Sequence, residues 1–195
     1  KSVIPLQSLD QNLAVTNLIS PTPALADDAD ALSSSDLGKM SESLASLLQP
    51  ELKKGSATLR QQGNKLTLAF ATAELFPTGD AAVTLGGTSL LERIGAVLHG
   101  FRYQNIEVAG HTDNAPLRSD PRKGFRDNIE LSRTRAEHAI QILINGGLEA
   151  DRVKAMGYAD SKPIAANDTE KGRSKNRRIE IMMSQGSESV STLGD

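Results

Sequence analysis

Cysteine is absent from the 195 residues, and with it go disulfides, thiolate nucleophiles and Cys-ligated zinc. Tryptophan is absent as well and aromatics make up only 3%, so the stacking platforms that hold single-stranded nucleic acid or sugar rings are scarce. Neither charge dominates: 22 Lys and Arg against 24 Asp and Glu leave a net charge of -2, which disfavours nucleic acid as a partner. No run approaches the roughly 20 apolar residues of a membrane span. No secretory leader is visible, and a chain opening at Lys1 reads as an excised fragment or processed chain, with any membrane anchor expected upstream of it. The lack of cysteine is compatible with an oxidising periplasm.

What is present is alternation. Residues 1–35 mix Pro5, Pro21 and Pro23 with the acids Asp27, Asp28 and Asp30 and read as a flexible linker, with a tether or partner-binding segment as the other reading. Leu37, Met40, Leu44, Leu47 and Leu48 form one helical stripe, with Ser33 to Asp36 as caps and Pro50 as a stop. Gln62-Gly63-Asn64 between Ser56–Leu59 and Lys65–Ala69 predicts a hairpin. A helix over Leu90 to Leu98 ends at Gly100, a strand runs from Ile106 to Gly110, a helix from Ile129 to about Ile144 stops at Gly146-Gly147, and strands follow at Val153–Tyr158 and Arg178–Ser184. Ser161 to Gly172 reads as a loop and the residues from 186 as a disordered tail. Strands alternating with helices predict an α/β sandwich, one sheet covered by helices on one face.

Three motifs punctuate this pattern in order: Gly110-His111-Thr112-Asp113-Asn114 at a strand end; Asn128-Ile129-Glu130-Leu131-Ser132-Arg133-Thr134-Arg135-Ala136 at a helix start; and Gly172 to Glu180, with Asn176-Arg177-Arg178 at its centre. Where a strand's carboxyl end faces a helix's amino end, loops carry polar groups over a rigid scaffold and ligands collect. Asp113 is either a turn-former bonded to its own backbone or an acceptor for a cation. Arg135, read as one turn into its helix, sits poorly with the helix dipole and wants an anion. That anion is either internal, from Glu130, Asp127 or Asp113, or a bound carboxylate gripped in a planar fork. Together Asp113 and Arg135 suit a zwitterion.

The three ordered motifs resemble the OmpA-like peptidoglycan-binding domain family, over roughly Glu51 to Ser184. The resemblance implies an OmpA-like two-layer sandwich, a mixed β-sheet packed against helices on one face. In the family the core opens at a Phe-x-x-Gly segment, matched by Phe76 to Gly79, so the helix and hairpin over residues 36–70 would be an amino-terminal addition to a domain at 71–185. It also implies a ligand: the diaminopimelate of the cell-wall stem peptide, with Asp113 and Arg135 as main contacts, Asn128 lining the pocket, and Thr112, Asn114 and Leu131 adding backbone groups. One of Arg177 and Arg178 is implied to reach the pocket; strand alternation favours Arg178. The charged loop Ala115 to Asp127 is longer than in compact members and is similar to the branch found in inner-membrane machines, stator proteins of the MotB type and secretion proteins of the TssL type. That branch implies a periplasmic domain, tethered to the inner membrane by a segment outside this chain and paired as a homodimer.

Enzymatic alternatives start from His111 and Asp113, which alternate along a strand end and suggest a metal site or acid–base pair, as in a metal-dependent wall-peptide hydrolase. Against this, His99 and His138 lie on other helices, and neither a nucleophile elbow nor a phosphate loop is present. Non-catalytic binding, with no cofactor or metal, is the expectation. A protein adaptor using the basic strip Lys171 to Arg178 is the remaining alternative.

Overall fold

A computed structural model of the chain describes residues 25–101, 104–118 and 120–185. Helix α1 (Leu25–Leu47) and the short α2 (Gln49–Lys54) lead into the hairpin β1 (Ala57–Gln62) and β2 (Lys65–Ala71). Helix α3 (Leu85–His99), strand β3 (Gln104–His111), helix α4 (Asn128–Asn145), strand β4 (Val153–Ala159), helix α5 (Glu170–Asn176) and strand β5 (Arg178–Gln185) follow. The five strands form one sheet in the order β1-β2-β5-β3-β4. Only β3 and β4 are parallel, joined by α4 as a βαβ unit; the other pairs are antiparallel.

The strand pattern explains the layering. Leu66, Leu68 and Phe70 on β2, Ile179, Ile181 and Met183 on β5, and Ile106 and Val108 on β3 are all buried and alternate with partly exposed residues. Period-2 alternation puts them on one face of the sheet. Against that face lie the helical stripes Leu37, Met40, Leu44 and Leu48, then Leu90, Leu91, Ile94 and Leu98, then Ala136, Ala139 and Leu143. Thr84 caps α3 by accepting from Gly87 N at 3.1 Å, and Asp127 caps α4 by accepting from Glu130 N at 2.9 Å.

Several expectations need correction. Of the linker expected over residues 1–35, residues 1–24 lie outside the described residues, as does the tail expected at 186–195; residues 25–35 are helical, the first turns of α1. Pro50 does not end the helical path. It sits in the first turn of α2, where a missing N–H costs nothing. The hairpin forms as expected, its turn set by Gly63 at φ 60°, but it is not an appendage: β2 pairs along its whole length with β5 and supplies three core residues. A boundary at residue 70 would cut the sheet. Finally, the stretch read as a loop up to Gly172 contains the start of α5.

Candidate functional site

Strand β3 ends directly beneath the start of α4. A Cβ at Gly110 would lie 2.1 Å from Ser132 O, so only glycine lets the helix come this close. Beside it the β3–β4 register shifts at Gly110/His111, and Ala159 takes the left-handed conformation at φ 48°. Thr112 N donates to Ala159 O at 2.9 Å and Ala159 N to Ser132 Oγ at 3.2 Å, which fixes the chain where it leaves the sheet. Strained backbone of this kind persists only where its surroundings over-determine it.

Asp113 follows at once. Its Oδ1 accepts from Ala115 N at 2.9 Å, the turn-forming bond, while its Oδ2 accepts from Arg177 at 2.6 Å. Arg177 also holds Glu170, in the first turn of α5. Burial opposes the charge on Arg177, but the two carboxylates keep its pKa above the ordinary value.

Arg135 stands across from Asp113 on α4, a little over two turns inside the helix rather than one, so the dipole argument for an anion falls away. Its partners restore the argument on firmer ground. The residue is 5% exposed; its Nε donates to Asp80 O at 2.7 Å and its guanidinium lies 5.5 Å from the centre of the Phe76 ring. None of the internal acids considered for it pairs with it: Glu130 takes Arg126, Asp127 caps the helix and Asp113 takes Arg177. Burial pushes Arg135 down to about 10, opposed by the field of Asp80, so it remains a cation at neutral pH. A buried guanidinium with no carboxylate partner among the described residues is a costly arrangement unless something else supplies the anion.

Asp113 and Arg135 line one cleft of about 690 Å³. Thr112, Asn128, Leu131 and Arg177 line it with them, and Asn128 Nδ2 donates to Ala115 O at 2.8 Å, tying the loop to α4. Asn114 is exposed and is not part of the lining. Arg178, the favoured member of the arginine pair, is not part of it either: its guanidinium donates to Glu180 at 2.6 Å, Asn176 O at 3.2 Å and Lys162 O at 3.0 Å. Alternation misjudged the pair because Arg177 is the C-cap of α5, not a strand residue. The turn before it is locked by Asn176, fully buried, which accepts from Ile164 N and Ala165 N and donates to Ala165 O.

The cleft also contains residues that motif reading missed, among them Thr78, Phe125, Lys123 and Glu170. The last was announced only by Thr169, which caps α5 by accepting from Gly172 N at 3.0 Å. The His111–Asp113 pair weighed as an enzymatic alternative does not form. His111 is buried, stacked on Tyr158 with ring centroids 5.4 Å apart, and lies 3.5 Å from Glu180. Among the described residues no three of His, Cys, Asp and Glu are grouped to hold a metal.

The sequence profile described as the OmpA family matches residues 75–177, which hold the first two motifs and most of the third. The chain belongs to the OmpA family. Motility protein B of Bacillus subtilis is 35% identical over 119 residues, covering 60% of this chain and 44% of that protein. The cell wall anchor of the type VI secretion system of Pseudomonas aeruginosa superimposes with a TM-score of 0.65 at 29% identity, over 73% of this chain and 97% of the other. A MotB-like protein of Desulfovibrio vulgaris, at 21% identity, shares the fold with a TM-score of 0.71 over 84% of this chain and all of its own. The chain spans about half the length of the curated relatives it matches. Among the described residues no helix is long and apolar enough to cross a membrane.

Proposed function

We propose that this OmpA-family domain binds peptidoglycan without turning it over, taking the side-chain head group of diaminopimelate in its cleft. The observation that carries this is Arg135, a buried fork with no carboxylate partner among the described residues, facing the same cavity as Asp113. A carboxylate of the ligand pairs with the guanidinium in bidentate fashion. The ligand's ammonium goes to Asp113, whose two oxygens offer about four acceptor directions; Ala115 N and Arg177 use two of them. Arg177 thus orients the carboxylate and Asn128 holds the loop beside it. On this reading the domain lies in the periplasm and holds an inner-membrane machine, a stator or a type VI secretion complex, to the wall; its likeness to motility protein B and to a type VI secretion cell wall anchor supports this. Pairing of two copies belongs to the same reading and is checked by sedimentation of the domain.

Calorimetry with the tripeptide L-Ala-γ-D-Glu-meso-diaminopimelate tests it. Binding is expected for the unaltered domain and lost in both Asp113→Ala and Arg135→Ala, without product formation. A peptide with L-Lys in place of diaminopimelate lacks the side-chain carboxylate and is expected to bind poorly. Equal binding of the two peptides, or their cleavage, would overturn the proposal.

A further inference from the structure

The loop between β3 and α4 brings a second cation to the same cleft. Lys123 Nζ donates to Gly79 O at 3.4 Å, and Arg135 Nε donates to Asp80 O at 2.7 Å, so an ammonium and a guanidinium hang on consecutive carbonyls of one turn. Both line the cavity. Like charges brought together repel unless an anion lies between or beside them.

Among the described residues no neighbouring carboxylate forms an ion pair with Lys123 or Arg135. Asp80 spends Oδ1 on Ala81 N and Ala82 N, and although the charges of Lys123 and Arg135 help lower its pKa, it forms no ion pair with either. Asp120 holds Arg122, while Asp113 and Glu170 share Arg177. Arg118 lines the same wall, is exposed, and has no ion pair among the described residues. Among the described residues the cleft therefore presents three cations, Arg135, Lys123 and Arg118, with no ion pair to a carboxylate, whereas one amino-acid head group brings one carboxylate. Its volume, about 690 Å³, exceeds by several-fold what such a head group fills.

We infer that Lys123 is a second anion-binding residue, recognising a main-chain carboxylate of the stem peptide while Arg135 takes the side-chain one, so that the loop selects peptides with a free carboxyl terminus at diaminopimelate. This rests on the reading of the cleft as a diaminopimelate site. It also gives the inserted loop a task, since Lys123 approaches the cleft only by crossing to the Gly79 turn. The contact with Gly79 O is long and exposed, so the ammonium is free to turn onto a carboxylate.

Two forms of the tripeptide L-Ala-γ-D-Glu-meso-diaminopimelate decide the matter, one with the main-chain carboxyl of diaminopimelate free and one with it amidated. The unaltered domain is expected to bind the free acid about fivefold more tightly. In Lys123→Ala both peptides bind with the affinity of the amide, and Lys123→Arg keeps the preference. Raised salt narrows the difference, since a partly exposed pair is screened. Equal affinity of the unaltered domain for the two forms would overturn the role of Lys123 and leave the diaminopimelate site standing. A Lys123→Ala variant that loses affinity for both by the same factor would also overturn it. Binding of neither form would remove the anchoring proposal itself, and this one with it.

Discussion

Arg135 and Arg178 are equally buried, at 5% exposure each, yet they keep opposite company. Arg178, on the sheet, is paired with Glu180 and capped by two carbonyls; Arg135, in the cleft, has one carbonyl, one ring face and, among the described residues, no acid paired with it. A buried cation whose hydrogen bonds are all met within the protein holds the fold together. One whose fork is left open to a cavity is available to a ligand, the role proposed for Arg135. The family motif contains both residues, so motif membership alone does not separate the two roles; their partners do.

The largest effect is expected on the structural side. Arg178→Ala strips Glu180 of its main hydrogen-bond donor and should cost about 3–5 kcal/mol of unfolding free energy, because one charge of a buried pair is left behind. Denaturant unfolding measures it, and what folded protein remains should still bind the tripeptide. If stability were unchanged, Arg178 would not be the structural member of the two.

Glu180 gives the same contrast through pH. His111 at 3.5 Å and Arg178 at 2.6 Å, against burial, hold its pKa at about 2, below the ordinary 4.5. Because the folded value lies below the unfolded one, the stabilisation is present above pH 4.5 and is lost as pH falls toward 2. Discounted for its partial exposure, it amounts to something on the order of 2 kcal/mol. Glu180→Gln should therefore be less stable than the parent at pH 7 and converge with it near pH 2, by thermal or denaturant unfolding at each pH. A constant difference across that range would mean that Glu180 does not act through its charge.

On the functional side, Arg135→Lys keeps the charge but removes the fork, and should weaken tripeptide binding by about 1–3 kcal/mol while leaving stability nearly unchanged. Calorimetry and unfolding on the same sample test both halves. Unchanged affinity would contradict the open-fork reading, and a large loss of stability would make Arg135 a second Arg178.

The sequence carried most of this organisation, for physical reasons that also explain its gaps. Helices α3 and α4 and strands β3 and β5 were legible because each buries apolar residues at a regular period, and glycines at 100 and 146 mark the ends of the two helices. Asp113, Arg135, Asn128 and Leu131, the residues implied by the family resemblance, line one cleft, and their role in binding is the proposal made above. Helix α5 was not legible: seven residues, EKGRSKN, carry no apolar period, and it stands on the Thr169 cap and the turn held by Asn176. Missing it shifted the arginine pair by one structural class and hid Glu170. The place of the hairpin inside the sheet was hidden for another reason. Pairing of β2 with β5 spans more than a hundred residues, and nothing local encodes it.

Arg133 supplies the smallest and most discriminating test. It lies two residues before Arg135 on the same helix, but its guanidinium points to solvent and pairs with Glu137 at 3.0 Å, the side chains being 67% and 50% exposed. Such an i,i+4 pair contributes only about 0.3–0.5 kcal/mol. Arg133→Gln should thus shift stability by no more than that and leave tripeptide affinity within error. Were its affinity to fall as far as that of Arg135→Lys, net positive charge near the cleft mouth, rather than an open fork inside it, would be what draws the ligand.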